Sequence, residues 1–79
     1  MIEAFVLIVV RPGNEGKVFE KIKKNPCVKE AYRIYGEYDI IIRVEVPNIE
    51  ELDRFHDEVL RKIPEIEMTE TLIASTYRG

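Results

Sequence analysis

The longest apolar segment opens the chain, where Ile2 to Arg11 form a β-branched run that is closed by the turn pair Pro12-Gly13. Successive side chains of a strand point to opposite faces. One face of this segment carries Ile2, Ala4, Val6, Ile8 and Val10, and the other carries Phe5, Leu7 and Val9. Because both faces are apolar, the pattern predicts a central strand that is covered on both sides.

A short helix follows the first strand. Asn14 is expected to cap it, and Asn25-Pro26 to end it. Its apolar side chains fall on a single stripe, formed by Val18, Phe19 and Ile22. A helix with one apolar stripe is expected to lie against the sheet.

The pattern changes to alternation from Cys27 onward, which predicts a second strand. This alternation places Val28, Tyr32 and Ile34 on one face, and Lys29, Arg33 and Tyr35 on the other. A turn at Gly36-Glu37 then leads into a third strand, from Tyr38 to Val46. Two strands joined by so short a turn are expected to form an antiparallel hairpin.

A second helix is predicted from Asn48, whose side chain is expected to accept from the third helical amide while Glu51 reaches back to the cap. Its predicted buried stripe, which ends at Pro64, consists of Ile49, Leu52, Phe55, His56, Val59 and Ile63. The last strand is expected to run from Glu65 to Thr76. It would alternate Ile66, Met68, Leu72 and Ala74 with Thr69, Thr71, Ile73 and Ser75.

The predicted fold class is α+β, a ferredoxin-like βαββαβ arrangement. Right-handed crossovers would put both helices on one face of a four-stranded antiparallel sheet, with the first and third strands central. The other face of an apolar central strand would then be bare. A second copy, stacked sheet on sheet about a two-fold axis as in a dimeric α+β barrel, is the expected cover.

Composition limits the classes of function. The chain has 79 residues and a net charge of −3 with interleaved signs, which predicts one domain with no basic stripe for direct nucleic-acid binding. The longest apolar run falls far short of the roughly 20 residues that span a membrane. Cys27 is the single cysteine, so we expect a protein of the reducing cytoplasm. Abundant Glu, Lys and Arg favour a thermophilic source.

No group of residues predicts catalysis. His56 is the single histidine and lies on or beside an apolar stripe, so it is either a packed histidine or the one available acid or base. Cys27 has no recognisable base beside it and is interpreted as a small hydrophobic residue. No spacing suits a metal, and the scattered glycines form no phosphate loop. We therefore predict no enzyme, no metal and no cofactor.

Two segments are candidates for binding a small molecule. The hairpin Tyr35-Gly36-Glu37-Tyr38-Asp39 would place an aromatic wall beside a carboxylate. A structural interpretation is also open, in which Gly36 permits a positive φ and Asp39 bonds turn amides. The second segment is Thr69-Glu70-Thr71, whose two hydroxyls share a face; alternating threonine is also common in ordinary strands.

These segments carry a family resemblance. Residues 28–32, 35–44 and 69–71 resemble the effector-sensing domain of Lrp/AsnC, or feast/famine, transcription regulators. The resemblance extends over nearly the whole chain. Those regulators carry an N-terminal helix-turn-helix domain, whereas this chain begins at the first strand of the sensing domain. It is therefore similar to the stand-alone RAM (regulation of amino acid metabolism) domain, spanning residues 1–79 with no DNA-binding domain.

The resemblance implies an assembly and a site. It implies homodimers that form octameric or decameric rings, with amino acid effectors bound between neighbouring dimers. The ligand-binding residues that it implies are Tyr35, Gly36, Glu37, Tyr38 and Asp39 in the effector loop, with Thr69 and Thr71 facing that loop. Asp39 would accept from an α-ammonium and the threonines donate to an α-carboxylate. Tyr35 would meet a neutral side chain.

The predicted function is a non-enzymatic module for amino acid sensing and oligomerisation, which modulates full-length Lrp/AsnC regulators by mixed assembly. Two alternatives share the architecture. A small enzyme of the dimeric α+β barrel type, such as a monooxygenase or isomerase, would have to use His56. A regulatory module of the ACT type would need a glycine-rich ligand loop after the first strand, and none is evident there.

Overall fold

The computed structural model describes residues 1–75. Its elements are β1 (Ile2–Val10), α1 (Glu15–Lys23), β2 (Val28–Arg33), β3 (Ile40–Val46), α2 (Ile49–Phe55), a π-helical turn (His56–Leu60) that continues α2, and β4 (Ile66–Ile73). This is the predicted βαββαβ order. The predicted end of the last strand, Thr76, lies outside the described residues.

The four strands form one antiparallel sheet in the order β2-β3-β1-β4. The first and third strands are therefore central, and the ferredoxin-like α+β fold predicted from the sequence is confirmed. No helix within residues 1–75 is long and apolar enough to cross a membrane.

The core lies between the sheet and the helices. Alternate residues of the two central strands are fully or almost fully buried: Ala4, Val6, Ile8, Val10, Ile40, Ile42, Val44 and Val46. The helical segments and the connection after them add Val18, Ile22, Leu52, Phe55, Leu60 and Ile63. Every buried residue within 1–75 is apolar. Cys27 is half-buried and packs against this cluster, as its interpretation as a small hydrophobic residue requires.

The predictions for the two helix caps have different outcomes. Asn48 accepts from the Glu51 amide at 2.9 Å, as predicted. The Glu51 carboxylate, however, lies 3.6 Å from the Arg54 guanidinium and makes no return bond to the cap within the described chain. Asn14 occupies the cap position of α1, but its side chain makes no capping hydrogen bond. The Glu15 carboxylate instead accepts from the amide of the preceding turn residue, Gly13, at 3.1 Å.

The predicted stripe of the second helix is wrong at Ile49, which it included, and at Leu60, which it left out. Ile49 is 45% exposed because it occupies the first helical position, outside the buried cluster. Leu60, which the stripe omitted, is buried, whereas Val59 is only half-buried. Leu60 is buried in place of Val59 because a π-helical turn begins at His56 and has more residues per turn than an α-helix.

The faces predicted for β2 are also wrong in part. Val28 pairs with Val44 and so lies on the helix side of the sheet, but a register shift follows before Glu30. Tyr32 then pairs with Ile41, on the opposite side. An extra residue reverses the phase of side chains, because a strand has a period of two.

A second irregularity lies between Val9 and Val10, where β1 pairs with β4. Ile66 lies opposite Val10 on the helix side, and Met68 lies opposite Val9 on the other side. The predicted common face of Ile66 and Met68 is therefore wrong for the same reason.

Candidate ligand site

The loop between β2 and β3 contains five of the seven predicted ligand-binding residues. The Ile34 amide donates to the Asp39 carbonyl at 2.9 Å and closes the loop. Gly36 has a φ of 127°, which side chains rarely adopt, so the conformational reason proposed for this glycine is confirmed. Tyr35 and Glu37 project into solvent. The loop thus combines a fixed base with an exposed tip.

Asp39 fixes that base to the central strand β1. Its amide donates to the Ile8 carbonyl at 2.8 Å, and its Oδ2 accepts from the Val10 amide at 2.7 Å. Val10 adjoins the register shift, where a regular ladder bond is interrupted. The interpretation that Asp39 bonds amides of its own turn is therefore wrong, because its carboxylate accepts from an amide of the neighbouring strand β1. One carboxylate oxygen carries no further hydrogen bond within the described chain.

Tyr38 connects the loop to the last strand. Its hydroxyl donates to Glu70 Oε1 at 2.5 Å. Glu70 pairs with Leu7, so this bond crosses the face of the sheet that the helices do not cover. The hydrogen bond raises the pKa of Tyr38, with smaller contributions from burial and from the carboxylates of Glu70 and Glu37. The loop and the Thr69-Glu70-Thr71 segment are joined through the glutamate between the threonines.

The two threonines lie on the helix side of β4, opposite Ile8 and Val6. Their predicted common face is confirmed. Thr71 Oγ1 lies 2.6 Å from His56 Nε2, and His56 Nδ1 is buried without a hydrogen-bond partner within residues 1–75. A cavity of about 360 Å³ beside this pair is lined by Asp53, His56, Asp57, Leu60, Arg61 and Thr69.

A second cavity, of about 490 Å³, lies between the start of α1 and the loop. It is lined by Glu15, Arg33, Ile34, Tyr35 and Asp39. Within one chain, therefore, the structure brings Tyr35 and Asp39 together but leaves Thr69 in a different cavity. Sequence reasoning missed Glu15 and Arg33, and the only signal for Arg33 was that it alternates with Tyr35 on a shared predicted face.

The face of the sheet away from the helices, here called the open face, is part apolar and part charged. Its apolar residues are Phe5, Leu7, Val9, Ile41, Met68 and Leu72. Met68 and Leu72 are 52% and 49% exposed. Beside them, Arg43 binds Glu30, Glu3 and Glu45 at 3.0, 3.1 and 2.5 Å. Hydrogen bonds to Glu30, Glu45 and Glu3 raise the pKa of Arg43.

Comparison with known proteins gives one family. Residues 3–76 match the model of the Lrp/AsnC ligand binding domain. The HTH-type transcriptional regulator FL11 of Pyrococcus horikoshii is 36% identical over 70 residues, which cover 89% of this chain and 46% of that protein. The chain therefore spans about half the length of this curated relative.

Solved structures agree with that match. The crystal structure of FFRP-DM1 superposes with a TM-score of 0.90 at 51% identity, over 94% of this chain and 99% of that chain. The structure of E. coli AsnC superposes with a TM-score of 0.91 at 28% identity, over 99% of this chain and 53% of that chain.

Proposed function

We propose, from the premise that this chain belongs to the Lrp/AsnC ligand-binding domain family, that it is a non-enzymatic sensor of small amino acids. The observation that carries the proposal is the loop of residues 34–39, which is anchored to β1 by Asp39 and borders a cavity of about 490 Å³. Ligand cavities in proteins have volumes of roughly 300–1,000 Å³. An anchored loop presents its groups to a ligand with little further ordering.

The proposed ligand contacts come from both predicted segments. Tyr35, Gly36, Glu37, Tyr38 and Asp39 form the effector loop, and Thr69 and Thr71 belong to the site from β4. Since the loop and Thr69 line different cavities of one chain, we assign them to one site through a neighbouring chain. The effector then binds at a seam between subunits.

The proposed assembly begins with a homodimer across the open face. Its apolar residues continue across β3, β1 and β4, and a second copy supplies the matching surface through a two-fold axis. Such dimers would assemble into octameric or decameric rings. An effector at the seams shifts assembly only if it binds the two states with different affinities.

The proposed partners are amino acids, further copies of the chain, and full-length Lrp/AsnC regulators through mixed assembly. Residues 1–79 are proposed to act as one ligand-binding domain without contacting DNA, because a net charge of −3 does not favour a phosphate backbone. Regulation would therefore pass through the subunits with which this domain assembles.

The alternative, a small enzyme, rests on His56 and the cavity of about 360 Å³ beside it. The two functions are separated by His56→Ala. A sensor that uses the loop keeps its stabilisation by an effector in this variant, whereas an enzyme that depends on the imidazole loses turnover. Retained stabilisation favours the sensor.

The direct test is a thermal-shift panel of the twenty L-amino acids, read together with native mass spectrometry. A ligand at 100 times its Kd stabilises the folded state by about 2.7 kcal/mol, so at least one amino acid should raise Tm in proportion to the logarithm of its concentration. Tyr35→Ala should reduce this rise without changing the unliganded Tm, because the side chain is fully exposed.

The matched control is Ile49→Ala, which removes another exposed apolar side chain, away from the loop. It should respond to amino acids as the wild type does. The proposal fails if none of the twenty raises Tm, or if Tyr35→Ala binds as tightly as the control.

A further inference from the structure

Arg33 lies on the helix side of the sheet. It is the last residue of β2 and pairs with Ile40, whose side chain is buried under the helices. Its guanidinium Nη1 is 3.7 Å from the point that a Cβ on Gly16 would occupy, so it reaches the first turn of α1. The register shift in β2 produces this placement, since it sets the phase of every later residue of the strand.

The cavity at this position holds charges of both signs that do not neutralise each other. Arg33 lines it together with Glu15 and Asp39. Within residues 1–75, Arg33 is in none of the ion pairs, although seven such contacts exist elsewhere. A guanidinium without a carboxylate partner retains its forked set of donors for a ligand.

Both carboxylates are held in place from behind. Asp39 Oδ2 accepts from the Val10 amide at 2.7 Å, and Glu15 Oε1 accepts from the Gly13 amide at 3.1 Å. Each keeps a second oxygen for a donor in the cavity. Groups that are fixed in this way lose little freedom when a ligand binds.

We propose that this cavity binds the zwitterionic head of an α-amino acid, with Arg33 taking the α-carboxylate and Glu15 and Asp39 taking the α-ammonium. The inference rests on the proposed function and assigns the groups that recognise the ligand. Arg33 and Glu15 belong to neither segment singled out by the sequence. Ile34 and Tyr35 complete the lining and favour a neutral side chain on the ligand.

The chemistry makes the site selective for molecules that carry both charges. A guanidinium binds a carboxylate through two parallel hydrogen bonds, and hydrogen bonds between charged groups are stronger than those between neutral groups. An amino acid amide lacks the anion that Arg33 would bind. An α-hydroxy acid lacks the cation that Glu15 and Asp39 would bind.

The experiment uses the L-amino acid that raises the Tm of the wild-type protein most, with its amide and its α-hydroxy acid as the other two probes. Calorimetry would measure the Kd of each probe for the wild type, Arg33→Gln, Arg33→Lys and Glu15→Gln. Arg54→Gln is the matched control, because it removes an exposed arginine that pairs with Glu51 on α2.

Arg33→Gln should raise the Kd of the amino acid by about tenfold to a hundredfold and change the Kd of the amide by less than about twofold. Arg33→Lys keeps the charge but loses the forked set of donors, so its Kd for the amino acid should lie between those of the wild type and Arg33→Gln. Glu15→Gln should weaken binding of the amino acid and leave binding of the hydroxy acid unchanged. Arg54→Gln should bind as the wild type does, and all four variants should keep their unliganded Tm within a few degrees.

The inference is overturned if Arg33→Gln binds the amino acid as tightly as the control does, or if it weakens binding of the amino acid and of its amide equally. In both cases the wild type still binds an amino acid, so the proposed function stands. If no amino acid binds the wild type, the proposed function fails and the inference fails with it.

Discussion

The two faces of the sheet differ in how their apolar residues are covered. On the helix side, Val6 and Ile8 of β1 are completely buried by the same chain. On the open face, Leu7 and Val9 of that strand remain half-buried, beside a charged group around Arg43. One strand therefore carries two apolar surfaces, one buried within the chain and one that we propose is covered by a second copy.

Because of this difference, we expect the helix side to determine the stability of the chain and the open face to determine its association. Aliphatic side chains that interdigitate under the helices set whether the chain folds. The open face mixes apolar residues with a fixed arrangement of one guanidinium and three carboxylates, which suits recognition of a particular partner. Substitutions on the two faces should therefore change different measurements.

The largest expected effect is on the helix side. Ile8→Ala removes a completely buried side chain and should lower the free energy of unfolding by about 2–5 kcal/mol, because a cavity remains in a packed core. Urea unfolding followed by circular dichroism measures it. A loss below about 1 kcal/mol would mean that this face is not the core that the structure describes.

The next effect is on the open face. Leu7→Glu places a charge at the centre of the proposed dimer contact and should weaken association by about a hundredfold or more, since an unpaired buried charge is strongly unfavourable. Sedimentation velocity measures it. Ile49→Glu is the control, because it makes the same kind of change at an exposed apolar residue away from this face. Equal behaviour of the two variants would remove the distinction between the faces.

A smaller effect tests the helix side of β4. Thr71→Val keeps the shape of the side chain but removes the contact with His56 Nε2, and should lower the free energy of unfolding by about 1 kcal/mol. Chemical denaturation at neutral pH measures it. Ser75→Ala removes an exposed hydroxyl beyond β4 and should be neutral. A neutral Thr71→Val would show that the hydroxyl does not support this face.

The smallest effect depends on pH. The hydrogen bond and charge of Lys17 hold the pKa of Glu65 below its usual value. A carboxyl whose folded pKa is lowered stabilises the protein above its unfolded pKa, and this stabilisation disappears as the pH falls through the folded pKa. Lys17→Met should therefore lower Tm slightly at neutral pH and leave it unchanged in acid. A difference in Tm that persists in acid would contradict this assignment.

Most of the fold could be predicted from the sequence, because hydrophobic periodicity and turn residues determine where elements begin and end. The alternation in β1 identified both of its faces, and Asn48 marked the start of α2. The errors in β2, in β4 and at Leu60 arise where one residue is added to a regular element. The shift after Val28 and the π-helical turn at His56 each change the phase of the residues beyond them, and neither has a local sequence signal.

The candidate site was predictable only in part. The conformation of Gly36 follows from local chemistry, so it could be anticipated. The bond from the Val10 amide to Asp39 joins residues far apart in sequence, and it depends on the register of β3 against β1. Arg33 reaches the cavity only because of the phase change in β2. Long-range register is not encoded in a local pattern, so these features required the structure.

We propose that the open face is covered by a second copy of the chain, which creates the seams where an effector binds. Sedimentation equilibrium of the wild-type protein at micromolar concentrations tests it most directly. We expect a folded species with the mass of a dimer or a larger even-numbered assembly. A folded monomer across that range of concentration would contradict it.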